Sequence, residues 1–307
     1  MTMQILVTGT SGYIGAAVTT PLLAAGHDVR GFARDPSRVT VDVPVVQGDA
    51  VAADGLDEAL EGIEVAYFLI HSMEASSAAE GFEALDRRAA QNFAAAAGRA
   101  GVRRVIYLGG LLPQDTPLSP HLRSRLEVEE LLLASVPEAV ALRASIVIGA
   151  RSRSFRFLVR LVERSPLLPL PAWRENRTRP IDGRDVLAFL TSAATSPAIK
   201  GAMSLDIAGP DTLTYGELIG RIRDLMLIPR PKLSVNVTMN AVASRIAAAI
   251  AGEDHALIGP LMESLESDLL PRDERAAGLL GVRLHRFDAA VERALRDWEA
   301  VEELAAR

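Results

Sequence analysis

The segment VTGTSGYIGAAV places Gly9, Gly12 and Gly15 three residues apart, where an apolar run gives way to an amphipathic one. No other feature constrains the fold as strongly. The run MQILVTGT is short and apolar and ends at Gly9, as a buried strand does. The next run, YIGAAVTTPLLAAG, has helical spacing and stops at Gly26. At such a junction the first glycine permits a tight turn, the second lets the backbone approach a pyrophosphate, and the third lets helix and strand pack closely. The helix start offers free N–H groups and a positive dipole end to phosphate. The loop therefore predicts a dinucleotide site formed by Gly9, Thr10, Ser11, Gly12, Tyr13, Ile14 and Gly15. The alternative is a plain tight turn.

The same alternation continues. DVRGFARD reads as a second strand, VPVVQGDA as a third and VAYFLI as a fourth, the last preceded by a short helix over 56–61. An Ala-rich helix over 79–99 leads to a fifth strand, RRVIYLGG. A helix over 121–134, a sixth strand AVALRASIVIG and a helix over 154–164 follow. Strands and helices at this spacing predict an α/β class, a Rossmann doubly wound parallel sheet with helices on both faces. After about residue 150 the rhythm loosens into the Pro-rich SPLLPLPAWRENRTRP. Beyond it we expect helices over 183–195, 215–226, 240–265 and 287–304 and a strand over 202–208. The expected division is a nucleotide-binding domain over 1–150, with a returning helix about 182–195, and a smaller, mostly helical substrate or lid region over 151–307.

Several function classes are disfavoured. The net charge of −6 argues against a nucleic-acid partner. The absence of cysteine removes disulfides and thiolate chemistry, and suits a reducing, cytoplasmic setting. The first residues show no signal-peptide pattern. Arg245, Glu253, Asp254 and His255 interrupt the apolar stretch 239–262, which reads as a buried amphipathic helix pair, with a lipid-facing pair as the alternative, rather than a membrane span. No HExxH or CxxC pattern points to a metal, and no GxSxG elbow to a serine hydrolase.

The motifs GFARDPSRV, GDAVAADGLDEAL, YFLIHSM, RRVIYLGGL, SPHLRSRLEVEELL, LRASIVIG and RPIDGRDV run in order over about residues 4–190. Together with the TGxxGxxG loop, they resemble the atypical and extended short-chain dehydrogenase/reductases, in particular the NmrA-like branch and its nucleoside-diphosphate-sugar-epimerase-like relatives. GPDTLTYGELI and FDAAVERAL extend a weaker likeness towards the C-terminus. The resemblance implies an NAD(P) cofactor, with Asp49 and Ala50 at its adenine and Ile70, His71 and Ser72 beside its ribose. It also implies that Gly109, Ala144, Ser145 and Ile146 line the crevice near the nicotinamide. Asp49 has a second reading, as the cap of the next turn.

The second strand bears on which dinucleotide binds. An acid at its end suits a free 2′-hydroxyl, whereas arginine suits a 2′-phosphate. Here the strand carries Arg30 and ends at Arg34, with Arg38 nearby, while Asp35 and Pro36 start a turn. This predicts NADP(H) in preference to NAD(H). The competing reading makes Arg34 a solvated surface charge.

Short-chain dehydrogenases usually protonate a carbonyl oxygen with tyrosine, helped by a lysine four residues on. The only lysines are Lys200 and Lys232, preceded four residues earlier by Ser196 and Ile228. On the matching helix the pair reads His121-x-x-x-Arg125, one turn apart on one face. Arg125 keeps a positive charge near the ribose but cannot act as a base. His121 has an ordinary pKa of about 6.5 and is a candidate proton donor, as is His71 at the end of the fourth strand. A structural hydrogen bond is the alternative for each. Gly109 and Gly110 stand where many relatives have serine. His27, His255 and His285 read as surface or core fillers.

Arginines cluster at 151, 153, 156, 160, 164, 174, 177, 179 and 184. Either they bind an anionic substrate or they form a solvated face or dimer contact, and the second reading is the more economical. The sequence thus points to an NADP(H)-dependent oxidoreductase that passes hydride to a small organic substrate: an enone, imine, quinone or carbonyl. Two alternatives are a non-catalytic NAD(P)-sensing regulator or assembly factor and a nucleotide-sugar epimerase-like enzyme. A homodimer is compatible with this reading.

Overall fold

The computed structural model describes residues 2–71, 81–165, 168–229, 231–234 and 265–304. Ser72, His255 and the stretch 239–262 lie outside the described residues. The first half of the chain runs β1 (Gln4–Thr8), α1 (Tyr13–Ala24), β2 (Asp28–Ala33), β3 (Val45–Gln47), α2 (Leu56–Leu60), β4 (Val65–Phe68), α3 (Phe82–Arg99), β5 (Arg104–Gly110), α4 (Pro120–Leu133) and β6 (Glu138–Ala144). It continues as β7 (Val147–Ile148), α5 (Arg153–Arg164), β8 (Leu168–Leu170), β9 (Arg177–Thr178), β10 (Ile181–Asp182), α6 (Gly183–Thr195), β11 (Ala202–Ile207), β12 (Leu213–Thr214), α7 (Tyr215–Leu225), β13 (Lys232–Ser234), α8 (Arg275–Leu280) and α9 (Phe287–Glu299).

Seven strands form one sheet in the order β3-β2-β1-β4-β5-β6-β11, with every pairing parallel. Alternate side chains of each strand enter opposite layers. Ile5, Val7, Ile106 and Leu108 pack with Val18 of α1 and Phe189 of α6. Leu6, Val105 and Tyr107 pack with Phe93 of α3 and Val128 of α4. Burial on both faces explains the continuous apolar runs in the sequence. The order of connection reverses between β1 and β4, which opens a crevice at the carboxyl ends of the strands.

Two elements differ from the sequence reading. The strand expected over 202–208 is not part of the smaller region but the seventh strand of the main sheet, paired with β6 from Ala202↔Ala139 to Ile207↔Ala144. Without it, β6 would present an open edge, and Leu205 and Ile207 would lose their burial beside Val140 and Leu142. The long sixth strand stops at Ala144. Ser145 donates its N–H to the Ile207 carbonyl, and β7 turns to pair with β10. That break lies at the mouth of the crevice.

A second core joins α5, α7 and α9 through Phe155, Leu158, Leu218, Ile222, Val291 and Trp298. Here the arginine cluster is mostly neutralised. Arg156 stacks 4.1 Å from the Trp298 ring centre and donates to Glu302 at 2.8 Å. Arg160 is held by Glu163 and Glu302. Arg177 pairs with Asp268, Arg179 with Glu274 and Arg184 with Asp182. Asp185, buried at the start of α6, accepts from the His285 backbone at 2.8 Å and from its Nδ1 at 2.6 Å. His285 is therefore a tie between the two cores rather than a filler.

Candidate active site

A cleft of about 670 Å³ follows the carboxyl ends of the strands. Its floor begins with the glycine loop. Gly9 has φ +69°, and a Cβ there would lie 2.8 Å from the Leu69 carbonyl oxygen. A Cβ on Gly15 would lie 2.2 Å from the Gly9 carbonyl oxygen, so only glycine lets α1 meet the strand this closely. Gly12 caps α1 without any side-chain bond, and no acid occupies the first turn. The N–H groups at this helix start thus face the cleft without a competing protein anion.

Ser11, Tyr13 and Ile14 also line the cleft. Thr10 does not: it is fully buried, and its hydroxyl reaches the Phe32 carbonyl. Tyr13 sends its hydroxyl between Gly149 and Gly183, where a side chain would collide with it. Burial and then Asp182 raise the pKa of this phenol, so it stays protonated.

At the β2 end, Arg34 and Arg38 line the cleft. Asp35 instead accepts from the Ser37 backbone and hydroxyl at 3.0 and 2.6 Å, which keeps its carboxyl on the turn. The Ser37 bonds hold that carboxyl below the usual carboxylate range. Arg30 points elsewhere and donates to the carbonyls of Glu58, Ala59 and Glu61 at the end of α2. Asp49 and Ala50 line the cleft, and Asp49 also caps its own turn by accepting from Val51 N–H at 2.9 Å. Asn92 of α3 fixes that turn by donating to the Ala50 and Val51 carbonyls.

Across the cleft, Ile70, His71, Gly109, His121, Arg125, Ala144, Ser145 and Ile146 line one continuous wall. Ser119 caps α4 by accepting from Leu122 N–H, which sets His121 and Arg125 on the first two turns. The Arg125 guanidinium donates to Nδ1 of His71, which leaves the ring's other nitrogen to carry the proton. Surrounding protein, then Arg125, then His121 hold the His71 pKa well below the ordinary histidine range, although one side of the ring opens to the cleft. Burial and then Arg125 bring His121 down to about 4. Both imidazoles are therefore neutral at pH 7. His121 is thus a neutral ring beside a fixed cation.

The glycine at 109 has a local cause. Tyr107 folds its ring under the strand end, and a Cβ on Gly109 would lie 2.9 Å from that ring. The Tyr107 hydroxyl approaches the Arg125 carbonyl at 3.4 Å. A serine here would require Tyr107 to move.

One turn beyond Arg125, on the same face of α4, Glu129 is 3% exposed. It receives two bonds from Arg143 of β6, at 2.9 and 2.6 Å, and one from Ser204 of β11 at 2.5 Å. Asp206 lies 3.7 Å from the same guanidinium. This network fixes the helix that carries His121 and Arg125 to the sheet. Residues missed by the sequence reading are Ser152 and Ser154, which line the far end of the cleft beside Arg151 and Arg153 of the arginine cluster. Their approach depends on the break after β6, which a continuous apolar run conceals.

The His121 geometry has a consequence for stability. Its native pKa is about 4, against about 6.5 unfolded. The native state thus keeps a neutral ring where the unfolded chain binds a proton. Its contribution is fully present above pH 6.5 and lost as pH falls through 4, by up to about 3 kcal/mol. Urea unfolding at pH 7 and pH 4.5 is expected to show a smaller pH-dependent loss for His121→Phe than for wild type. Equal losses would show that this ring titrates as it does in the unfolded chain.

Residues 9–146 match the family model described as NAD(P)H-binding. A ceramide reductase of Caulobacter vibrioides is 27% identical over 219 residues, 70% of this chain and 68% of that protein. A 3 beta-hydroxysteroid dehydrogenase/Delta 5→4-isomerase of Mycobacterium tuberculosis is 34% identical over 113 residues, covering 34% of this chain and 30% of that one. The chain is thus similar to NAD(P)H-binding proteins and to enzymes named as a reductase and a dehydrogenase. Its fold is epimerase-like: UDP-glucose 4-epimerase of Thermotoga maritima superposes with a TM-score of 0.75 at 13% identity, over 98% of this chain and 100% of that one. No described helix is long and apolar enough to cross a membrane. Among the described residues no group of three His, Cys, Asp or Glu side chains could hold a metal.

Proposed function

We propose that the chain is an NADP(H)-dependent reductase of a small organic electrophile, a carbonyl, enone, imine or quinone. The carrying observation is that Arg125, with two neutral imidazoles, shares one cleft with the uncapped glycine loop. The glycines fit a dinucleotide, because Gly12 leaves the start of α1 open and a Cβ on Gly15 would collide with Gly9. Arg34 and Arg38 would hold a 2′-phosphate, and Asp35 is engaged by Ser37 rather than offered to a ribose hydroxyl. The relatives named as a ceramide reductase and a hydroxysteroid dehydrogenase support carbonyl–alcohol redox chemistry.

When bound, the nicotinamide supplies a hydride, and the chain's own residues manage the charge that results. Arg125 stabilises the substrate oxygen or nitrogen as it becomes negative. The neutral N–H of His121 or His71 donates a hydrogen bond to the same atom. The proton then arrives from solvent through one of these rings, whose affinity for it rises as negative charge develops beside it. A second reading, a dinucleotide-sensing regulator, draws on the low histidine pKa values, which leave no ready acid in the resting site.

NADPH oxidation across a panel of quinones, enones, imines and ketones tests the enzyme; no oxidation anywhere would favour the sensor. For the cofactor, Arg34→Ala is expected to weaken NADPH about 10- to 100-fold, the loss of a charge-assisted bond, and to leave NADH nearly unchanged. Tighter binding of NADH than NADPH by the unaltered protein would overturn the preference.

A further inference from the structure

We propose that the start of α5 is a second anion subsite of the cleft, one that takes a carboxylate or phosphate carried by the substrate. The inference rests on the dinucleotide reading above and adds a substrate class to it.

Ser152 stands at the N-cap of α5, yet its side chain caps nothing. Ser119 and Asp182, at the same position of α4 and α6, both accept from their helices. Ser152 is 6% exposed and lines the cleft, and its hydroxyl bonds to no protein group among the described residues. A hydroxyl on a buried residue that faces the cleft without bonding to helix N–H groups that need an acceptor leaves both available to a ligand. α5 is 12 residues long and has no acid in its first turn. Arg151 is exposed on the cleft wall beside it. The guanidinium, the hydroxyl and the helix start thus converge on one place with one preference, an anionic oxygen group.

Counting charges assigns that group to the substrate. Among the described residues the cleft wall carries Arg34, Arg38, Arg125, Arg151 and Arg153 against the single acid Asp49. It offers three places for anions: Arg34 with Arg38, the start of α1, and the start of α5. A phosphorylated dinucleotide brings two anionic centres, its 2′-phosphate and its pyrophosphate, which suit the first two places. The third is left for the substrate. Arg125 lies apart from it, between the two histidines, where the reacting atom is expected. A substrate that fills both places has an electrophilic centre at one end and an anionic group at the other. Arg151 also influences Tyr13 at the start of α1, so the pyrophosphate is the competing source of the anion.

Inorganic phosphate is the probe, titrated calorimetrically into the protein both free and saturated with NADPH. Saturable binding to the NADPH-loaded protein is expected. Arg151→Glu should weaken it at least tenfold and Ser152→Ala severalfold, with NADPH affinity within twofold of wild type. Circular dichroism checks that both variants are folded. Absence of saturable phosphate binding in the loaded protein would overturn the subsite. So would a tenfold loss of NADPH affinity in Arg151→Glu, which would give the arginine to the pyrophosphate. If NADPH itself fails to bind, the dinucleotide reading fails separately. Phosphate binding to the free protein then decides: loss in Arg151→Glu, but not in Arg34→Ala, supports the subsite, and indifference to Arg151→Glu overturns it.

Discussion

Glu129→Ala is expected to lower the unfolding free energy by about 3–5 kcal/mol, the usual cost of leaving a buried charge without its partner. Arg143 is 8% exposed and donates both of its short carboxylate bonds to Glu129. Asp206, at 3.7 Å, is too far to replace them without rearrangement. It is also committed to the Arg272 backbone, whose N–H lies 2.7 Å from one carboxylate oxygen. Ser204 loses its acceptor at the same time. Glu129→Gln keeps the shape and one acceptor, so its cost should be clearly smaller. Urea unfolding at pH 7 measures both. A loss below about 1 kcal/mol for the alanine variant would be typical of a solvent-screened surface pair. It would show that water or Asp206 satisfies Arg143. The variant should also lose more turnover than its unfolded fraction explains, because α4 carries His121, Arg125 and Glu129 on one face.

What the chain reveals in sequence and what it hides divide along a physical line. Local patterns report local structure. The glycine spacing and the one-turn separation of His121 and Arg125 are short-range features, and each appears in the structure where the sequence puts it. The cofactor-loop residues line the cleft except Thr10, because the inward or outward direction of a loop side chain is set by its neighbours in space. Arg30 looks like a cofactor arginine in sequence, but the end of α2 has unsatisfied carbonyls close by and takes it. The arginine cluster reads as one patch until Glu302 and Trp298, far along the chain, claim Arg156 and Arg160. Gly109 reads as a lost serine until Tyr107 is found beneath it. Partners distant in sequence decided all of these cases but the last, where the fold sets the direction of a neighbouring ring, and a single sequence carries no signal for them.

Arg125→Ala is expected to reduce turnover on an accepted substrate by about 10²- to 10³-fold, the scale seen when one preorganised donor to a developing negative charge is removed. NADPH affinity should fall much less, because in the proposed function the loop and Arg34 would supply the larger part of the phosphate contacts. The same change makes a second, independent mark. Arg125 lowers the pKa of both His71 and His121, so its removal must raise both. More imidazolium then exists at pH 6 than in wild type, and the residual activity of the variant should climb more steeply as pH falls from 7 to 6. Imidazole proton shifts followed by NMR read the two pKa values directly. A guanidinium that serves only the fold would give a different pair of results: turnover down in proportion to stability, with an unchanged pH profile. Arg125→Lys separates charge from geometry, since a lysine retains the positive charge but not the planar fork that meets the His71 ring. Recovery of the wild-type histidine pKa values without recovery of rate would mean that the fork's direction, more than its charge, does the work on the reacting atom.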